Sequence, residues 1–485
     1  MVSLCLAAGF VMMLSGCTVG PNFAPPPAPP VEGYLPGDSK AQRTTVHVAV
    51  GDIPYRWWTL FRSKPLNRLI EDGFIHNPDI QSAEAAVRVA QANARAARGA
   101  LFPQVEGGFN PTRQMISENA DTSNVPSGAR TYSVITAQLS VTYVLDVFGG
   151  TRRQIEATDA IAESQEFQRE AAYLTLAANI ALAAIQEMSL RGQIAATQRI
   201  IGLQEQLLDI LRKQNRVGQI GESDVAVQQT ALAQAKLLLP PLEKQLSAQR
   251  HALAVLTGRF PSEGAGAQFL MNSISLPHKI PVSLPADLIL QRPDIRIAQA
   301  NLRQANAEIG VAIANRLPQI TLTGNLGNSA VAISQLFSPQ TGLWMLAGNI
   351  VQPIFNAGTL ANKQIAAEET FAQVAAQYRS VVLNAFQNVA DSLRALQADS
   401  RALSAARDAE RAAERSFELI RRQIERGQSG IEILLATQQS YLQTSVARVQ
   451  AEAQLLTDAV LLFQALGGGW WNKPAEAPGS PEAKF

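Results

Sequence analysis

The chain has 485 residues, 47% hydrophobic and 17% charged, enough to bury a large core and, by length alone, to suggest two or more domains. Its 41 Lys and Arg against 40 Asp and Glu leave a formal net charge of +1, so no global field recruits nucleic acid or an anionic surface.

Met1 to Gly16 is almost wholly apolar, too short to span a bilayer comfortably, and ends in Leu14-Ser15-Gly16 before Cys17. That is the pattern of a secretory h-region and its cleavage site, so residues 1–16 read as a signal peptide and the chain as exported. A signal normally opens with Lys or Arg, and this one does not, so the coding start is expected upstream of Met1. Cleavage removes Cys5 and leaves one cysteine, with no internal disulfide available. Leu-Ser-Gly-Cys resembles a bacterial lipobox, which implies diacylation of the Cys17 thiol and acylation of the new N-terminus. Fatty chains contribute roughly 0.8 kcal/mol per buried methylene, and more than one chain makes a stable anchor. Thr18 stands where an aspartate would signal inner-membrane retention, so the resemblance implies sorting to the outer membrane. Prolines 25–27, 29 and 30 favour polyproline II, and residues 17–60 read as lipid anchor and Pro-rich tether.

Beyond the tether the chain repeats itself. NPDIQSAEAAVRVAQANA (Asn77 to Ala94) matches RPDIRIAQANLRQANA (Arg292 to Ala307), and Phe102-Pro103-Gln104 matches Leu317-Pro318-Gln319. VLDVFGG (Val144 to Gly150) faces VQPIFNAG (Val351 to Gly358), VGQIG (Val217 to Gly221) faces RGQSG (Arg426 to Gly430), and HALAVLTG (His251 to Gly258) faces VLLFQALG (Val460 to Gly467). Repeat one is placed at 61–256, a connector at 257–291, repeat two at 292–467 and a flexible tail at 468–485.

Each repeat reads as helix, strand, strand, very long helix, turn, helix. The first helix, 64–100 or 293–315, is rich in Ala, Gln and Arg and stops before Pro103 or Pro318. Strands follow at about 102–118 and 130–149 in repeat one, and at about 317–336 and 341–358 in repeat two. Ile135, Leu139, Val141, Tyr143 and Leu145 alternate with Thr136, Gln138, Ser140 and Thr142, as Ile320, Leu322 and Leu326 do with Thr321, Thr323 and Asn325. One apolar and one polar face suits a membrane barrel, and equally any half-buried antiparallel sheet. Four strands cannot close a membrane barrel, whose smallest form has about eight, so several chains must share one.

From Gly150 to Arg216, and again from Thr359 to Arg426, no proline interrupts a run of good helix formers. About 66 residues at 1.5 Å each make a rod of roughly 100 Å that needs neighbours along its length. Glycine turns at 217–221 and 426–430 then reverse the chain, and Pro240-Pro241 should interrupt the first return helix only. Trp57 and Trp58 are expected to pack on the helical body, Trp344 to stand in a membrane belt and Trp470-Trp471 to cap the last helix.

CTVGPNF (Cys17 to Phe23), WWTLFRSKPLNRLI (Trp57 to Ile70), LPADLILQRPDI (Leu284 to Ile295), ANRLPQITLTGNLG (Ala314 to Gly327) and VQPIFNAG together resemble the outer-membrane factor (TolC-like) family of tripartite efflux systems. The likeness is to its NodT-like branch of multidrug outer-membrane lipoproteins and covers nearly the whole mature chain. It implies a mainly α fold with a membrane β-barrel part: a homotrimer whose 12-stranded barrel, four strands per chain, continues into a long periplasmic α-helical barrel. It implies a passive exit duct for drugs or other small molecules, meeting a periplasmic adaptor and an inner-membrane pump, of RND type, that supplies the energy. Substrate choice would rest with the pump.

The resemblance places adaptor docking at the hairpin tips, on Val217, Gly218 and Gln219 and on Arg426, Gly427 and Gln428. Glycine at those turns also suits left-handed geometry alone. Relatives carry Leu-Leu-Asp-Ala-Gln after the second turn, where this chain reads Leu434-Leu435-Ala436-Thr437-Gln438, so the acidic ring such an aspartate forms is missing here. Asp224 and Glu432 are the candidates for lumen charge in its place, and either also reads as an ordinary helix N-terminal charge.

No catalytic machinery is expected. His47, His76, His251 and His278 are scattered without metal-ligand spacing, there is no phosphate-binding loop or nucleophile elbow, and neither metal nor cofactor is implied. Carboxylate neighbours such as Glu71-Asp72 and Glu368-Glu369 suit solvated helix faces. The rival reading is a lipid-anchored trimeric coiled-coil scaffold or adhesin, which explains anchor and helices but not two repeats that each return strands to the same end.

Overall fold

The computed structural model describes residues 18–31, 33–35, 47–115, 131–277, 279–283, 285–426, 428 and 430–474. Cys17, Gly427 and His278 lie outside that set. The chain forms β1 (His47–Val50), α1 (Lys64–His76), α2 (Pro78–Arg98), β2 (Gln104–Met115), β3 (Thr131–Leu145), α3 (Gly150–Arg216), α4 (Glu222–Leu237) and α5 (Leu239–Leu256). There follow β4 (Lys279–Val282), α6 (Pro285–Gln291), α7 (Pro293–Ala314), β5 (Gln319–Ala330), β6 (Gly342–Val351), α8 (Thr359–Glu425) and α9 (Ile431–Ala465). Contacts divide these residues into two compact units, and α3 and α8 contribute to both.

The first helix of repeat one, expected to run unbroken from 64 to 100, is two helices. Asn77 is extended (φ −70°, ψ 125°) because the ring of Pro78 excludes helical geometry from the residue before it. The Asn77 side chain then accepts from the Asp79 amide at 2.8 Å and starts α2. In the first return helix, α4 ends at Leu237 and α5 begins at Leu239, with Pro240 and Pro241 in the first turn of α5 where their missing amides cost nothing.

One unit holds Thr18–Pro26 of the described N-terminus, Val87–Gln165 and Ala298–Tyr378. Its centre is an antiparallel sheet in the order β2-β3-β5-β6, in which β2 and β6 are the edges and pair with no further strand among the described residues. Pro111 sits on edge strand β2, as a residue without an amide donor should. Residues 18–22 do not behave as a tether. The Val19 amide donates to Phe148 O at 3.0 Å, and the buried Arg153 guanidinium donates to Val19 O, Gly20 O and Asn22 Oδ1 at 3.0, 3.2 and 2.8 Å. Thr18 lies so close to Gly149, and Gly20 to Gly310, that a Cβ on Gly149 would come 2.6 Å from Thr18 Cγ2 and one on Gly20 2.6 Å from Gly310 Cα.

The other unit holds Pro27–Ala86, Glu166–Ile297 and Arg379–Phe485, so far as described. β1 and β4 pair in parallel, which ties residues 47–50 to the connector between repeats. Trp57, Trp58 and Phe61 are buried, and the Trp57 ring stacks on Phe463 of α9 with centroids 5.4 Å apart. Residues 17–60 thus include a strand and an aromatic anchor as well as the Pro-rich run. Trp470 and Trp471 follow α9 and donate from Nε1 to Gln291 O (2.6 Å) and Asp52 Oδ1 (2.9 Å).

Candidate functional site

Two features are candidates for function, one in each unit. In the sheet, paired residues share a face, so the ladders align the alternation of each strand. Leu139, Leu326 and Trp344 form one row, Val141, Gly324 and Leu346 the next, and Leu145, Ile320 and Ile350 another. Rows between them carry Gln138 with Gly327, Ser140 with Asn325 and Met345, and Thr142 with Thr323 and Ala347. Among the described residues nothing covers the apolar face: Trp344 is 78% exposed, Leu346 77% and Ile350 68%. A contiguous apolar surface with an aromatic among its rows is what a lipid-facing barrel wall presents.

In the other unit the ends of α3, α4, α8 and α9 pack around one apolar seam of Ile200, Leu207, Leu208, Leu211, Val225, Phe417, Ile424, Leu434 and Tyr441. Phe417 and Tyr441 stack at 5.9 Å, and the Tyr441 hydroxyl donates to Glu414, which also pairs with Arg199 at 3.2 Å. Burial, and then the hydrogen bond to Glu414, push the Tyr441 hydroxyl above its ordinary range.

The seam brings the two hairpin turns together. Gln219, Asp224, Arg426, Gly430 and Glu432 line a common cleft of about 760 Å³. The turns share one geometry: the Gln219 amide donates to Gln214 O at 3.0 Å and the Gln428 amide to Gln423 O at 2.8 Å. Gly218 takes the left-handed conformation (φ 78°) that closes the first turn, and Val217 beside it is 71% exposed. Of the six tip residues singled out in the sequence, Gln219 and Arg426 line the cleft, Val217, Gly218 and Gln428 are exposed beside it, and Gly427 lies outside the described residues.

Asp224 stands in the first turn of α4 and Glu432 in the first turn of α9, both on the cleft wall. Ala436 is exposed one turn after Glu432, so Glu432 and Ala436 share a helix face. A carboxylate at 432 therefore occupies the face from which one at 436 would project.

Several polar groups carry no motif and were not legible as sites. Gln204, Gln228 and Gln438 are buried in the four-helix region with unpaired carboxamide atoms, Gln438 at both its oxygen and its nitrogen. Asp458 of α9 is buried against Asp399 of α8; burial, then the hydrogen bond and charge of Asp399, raise its carboxyl to about 7. Among the described residues no group of three or more His, Cys, Asp or Glu could hold a metal ion.

A family model described as outer membrane efflux protein matches residues 69–259 and 284–468. The chain is 30% identical over 445 residues to the pyoverdine export outer membrane protein OpmQ of Pseudomonas putida, covering 91% of this chain and 92% of that one. Among solved structures, the open state of the Neisseria gonorrhoeae MtrE outer membrane channel is 27% identical, with a TM-score of 0.80 and coverage of 94% and 99%. The Campylobacter jejuni CmeC outer membrane channel shares the fold at 21% identity, with a TM-score of 0.85 and coverage of 95% and 96%.

Proposed function

The chain belongs to the outer membrane efflux protein family, and from that premise we propose that it is the lipid-anchored exit duct of a tripartite pump, docking its adaptor through the two hairpin turns. The observation that carries this reading is the four-stranded sheet, apolar and uncovered on one face and open at both edges. Three copies bring twelve strands, enough to close a membrane barrel with the apolar rows outward and the Gln, Ser and Thr rows facing water.

Cys17 carries the acyl chains of the anchor and sits one residue before the segment that Arg153 holds. Val217, Gly218, Gln219, Arg426, Gly427 and Gln428 meet a periplasmic adaptor, which links the duct to an inner-membrane pump of RND type. Transport through the duct is downhill: its wall lowers no chemical barrier and turns over no cofactor. Its work is to exclude lipid and to set the charge that passing solute meets. Around a three-fold axis, Asp224 and Glu432 each supply three carboxylates near the turns, in place of the carboxylate absent at Ala436.

Reconstitution of the purified protein into planar bilayers tests the reading. Discrete ohmic conductance steps are expected, with cation preference reduced in Asp224→Asn or Glu432→Gln. Membranes that take up trimers yet show no step would refute the duct. Intact mass of the N-terminal peptide tests Cys17 separately, since acylation adds the mass of its fatty chains.

A further inference from the structure

A polar layer interrupts the apolar seam of the four-helix region. On α3, Gln204 stands between Ile200 and Leu208; on α4, Gln228 between Val225 and Leu232; on α9, Gln438 between Leu434 and Tyr441. Steps of three and four residues place side chains on one stripe of a helix, so each glutamine holds a seam position that its neighbours fill with an apolar or aromatic side chain. All three are buried, with exposures of 6%, 0% and 1%. A polar layer retained to fix helix register satisfies its own groups. Here Gln228 Nε2 donates to the backbone O of Gln204 at 3.4 Å, while Oε1 of Gln204, Oε1 of Gln228 and both amide atoms of Gln438 have no partner.

A cavity of about 640 Å³ adjoins the layer between α3, α4 and α9, and it shares no residue with the cleft at the turns. Gln204 and Gln438 belong to its buried floor, with Ile200 and Ala235. Val227 and Leu238 stand exposed at its rim. The volume lies within the range of small-molecule sites, roughly 300–1,000 Å³. None of the lining residues is ionisable, so an ion entering here would exchange its hydration for neutral dipoles alone, at a net cost.

The hydrogen-bond inventory narrows the occupant further. Donation from Nε2 fixes the Gln228 amide with its oxygen left as an acceptor, and Gln204 adds a second oxygen. The Thr230 hydroxyl on the wall donates to Ala226 O at 3.0 Å, so it too can only accept from the cavity. Gln438 presents a donor and an acceptor side by side. We propose that the cavity is a binding site for a small neutral molecule carrying a primary carboxamide or urea on an apolar body. Its carbonyl accepts from Gln438 Nε2, one N–H returns to Gln438 Oε1, and a second N–H reaches Gln204 Oε1. The unpaired amide atoms are closed off behind the floor, so binding turns them outward, and they have no hydrogen bond to lose in turning. An occupant held this way ties α3 and α4 to α9. The inference stands on these helices and does not depend on the membrane sheet.

Photolabelling of the purified full-length protein with para-azidobenzamide tests the site. Label is expected on peptides spanning 227–238 or 435–443, and excess benzamide should suppress it. Acetophenone has the same ring and carbonyl but no N–H, so it should need concentrations higher by about tenfold or more to compete, for the loss of its donors to Gln438 and Gln204. The double variant Gln204→Leu with Gln438→Leu should melt no lower than the unaltered protein, because an apolar chain of similar shape replaces buried amides without partners, and should lose label at those peptides. Label retained there in the double variant, or acetophenone competing as well as benzamide, would reduce the site to an apolar hole and overturn the assignment. Label found only on other peptides would overturn it as well. Should the double variant fail to fold, the comparison of benzamide with acetophenone on the unaltered chain decides alone.

Discussion

Replacing Arg153 by alanine should release the first residues after the anchor cysteine. The Arg153 side chain is 5% exposed and donates to Val19 O, Gly20 O and Asn22 Oδ1 while pairing with Glu156 at 2.7 Å. Hydrogen bonds from a charged donor contribute about 1.5–3 kcal/mol each, and three on one side chain are not independent, so about 3 kcal/mol is a reasonable sum for the set. That corresponds to roughly a hundredfold rise in the open population of residues 18–22. Hydrogen exchange read on the Val19 amide, which donates to Phe148 O, should accelerate by that factor, with the β3·β5 amides unchanged. Exchange at Val19 unaltered by the substitution would refute the idea that Arg153 holds the segment.

Other consequences are equally direct. Phe417→Ala empties the stacked position against Tyr441 in the four-helix seam and should cost about 3–5 kcal/mol in urea unfolding, whereas an exposed change such as Gln439→Ala should cost little. A Cβ at Gly327 would lie 2.3 Å from Ala137 O and 2.6 Å from Gln138 Cα, so Gly327→Val should abolish trimers on semi-native electrophoresis; Gly324→Ala, with 3.8 Å to its nearest neighbour, should not. Asp458 holds its proton to about 7 in the folded chain and releases it near 4 when unfolded, so between those values the folded state binds the extra proton and stability falls as pH rises. Asp458→Asn should flatten the fall in melting temperature between pH 5 and 8, and an unchanged slope would assign the dependence elsewhere.

The large architecture was legible because it is written in periodicity. The two 67-residue helices contain no proline, strand β3 alternates from Ile135 to Tyr143, and the repeat aligns at Pro78 with Pro293. Position-specific chemistry was less so. The break at Asn77 is local and follows from Pro78, yet the strong helical pattern on both sides masks it. The β1·β4 pair joins segments over two hundred residues apart, and four-residue strands carry too little pattern to announce such a partner. The Arg153 clamp depends on backbone acceptors in the N-terminal segment and on glycines at 149 and 310 that admit close approach, none of which forms a motif.

At the turns, sequence identified the glycines and the exposed residues but not which side chains share a wall. Gln219 and Asp224 are more than two hundred positions from Arg426 and Glu432, and the two pairs meet only because Phe417, Leu434 and Tyr441 bring the hairpins into register. The strand-to-helix junction was misaligned for a related reason: matching VLDVFGG to VQPIFNAG by residue type sets Val144 on Val351, whereas the ladders, with Gln104 opposite Thr142 and Gln319 opposite Val351, set Thr142 there. Hydrogen-bonded ladders fix such a register where similarity of side chains does not.

Single-particle electron microscopy of the purified, acylated protein in nanodiscs is the most direct measurement. A three-fold particle is expected, with twelve strands in the bilayer, one continuous lumen reaching the hairpin turns, and Asp224 and Glu432 near its narrow end. A filled helical bundle without a lumen, or a sheet whose β2 and β6 edges stay unpaired, would contradict the duct and leave a lipid-anchored scaffold.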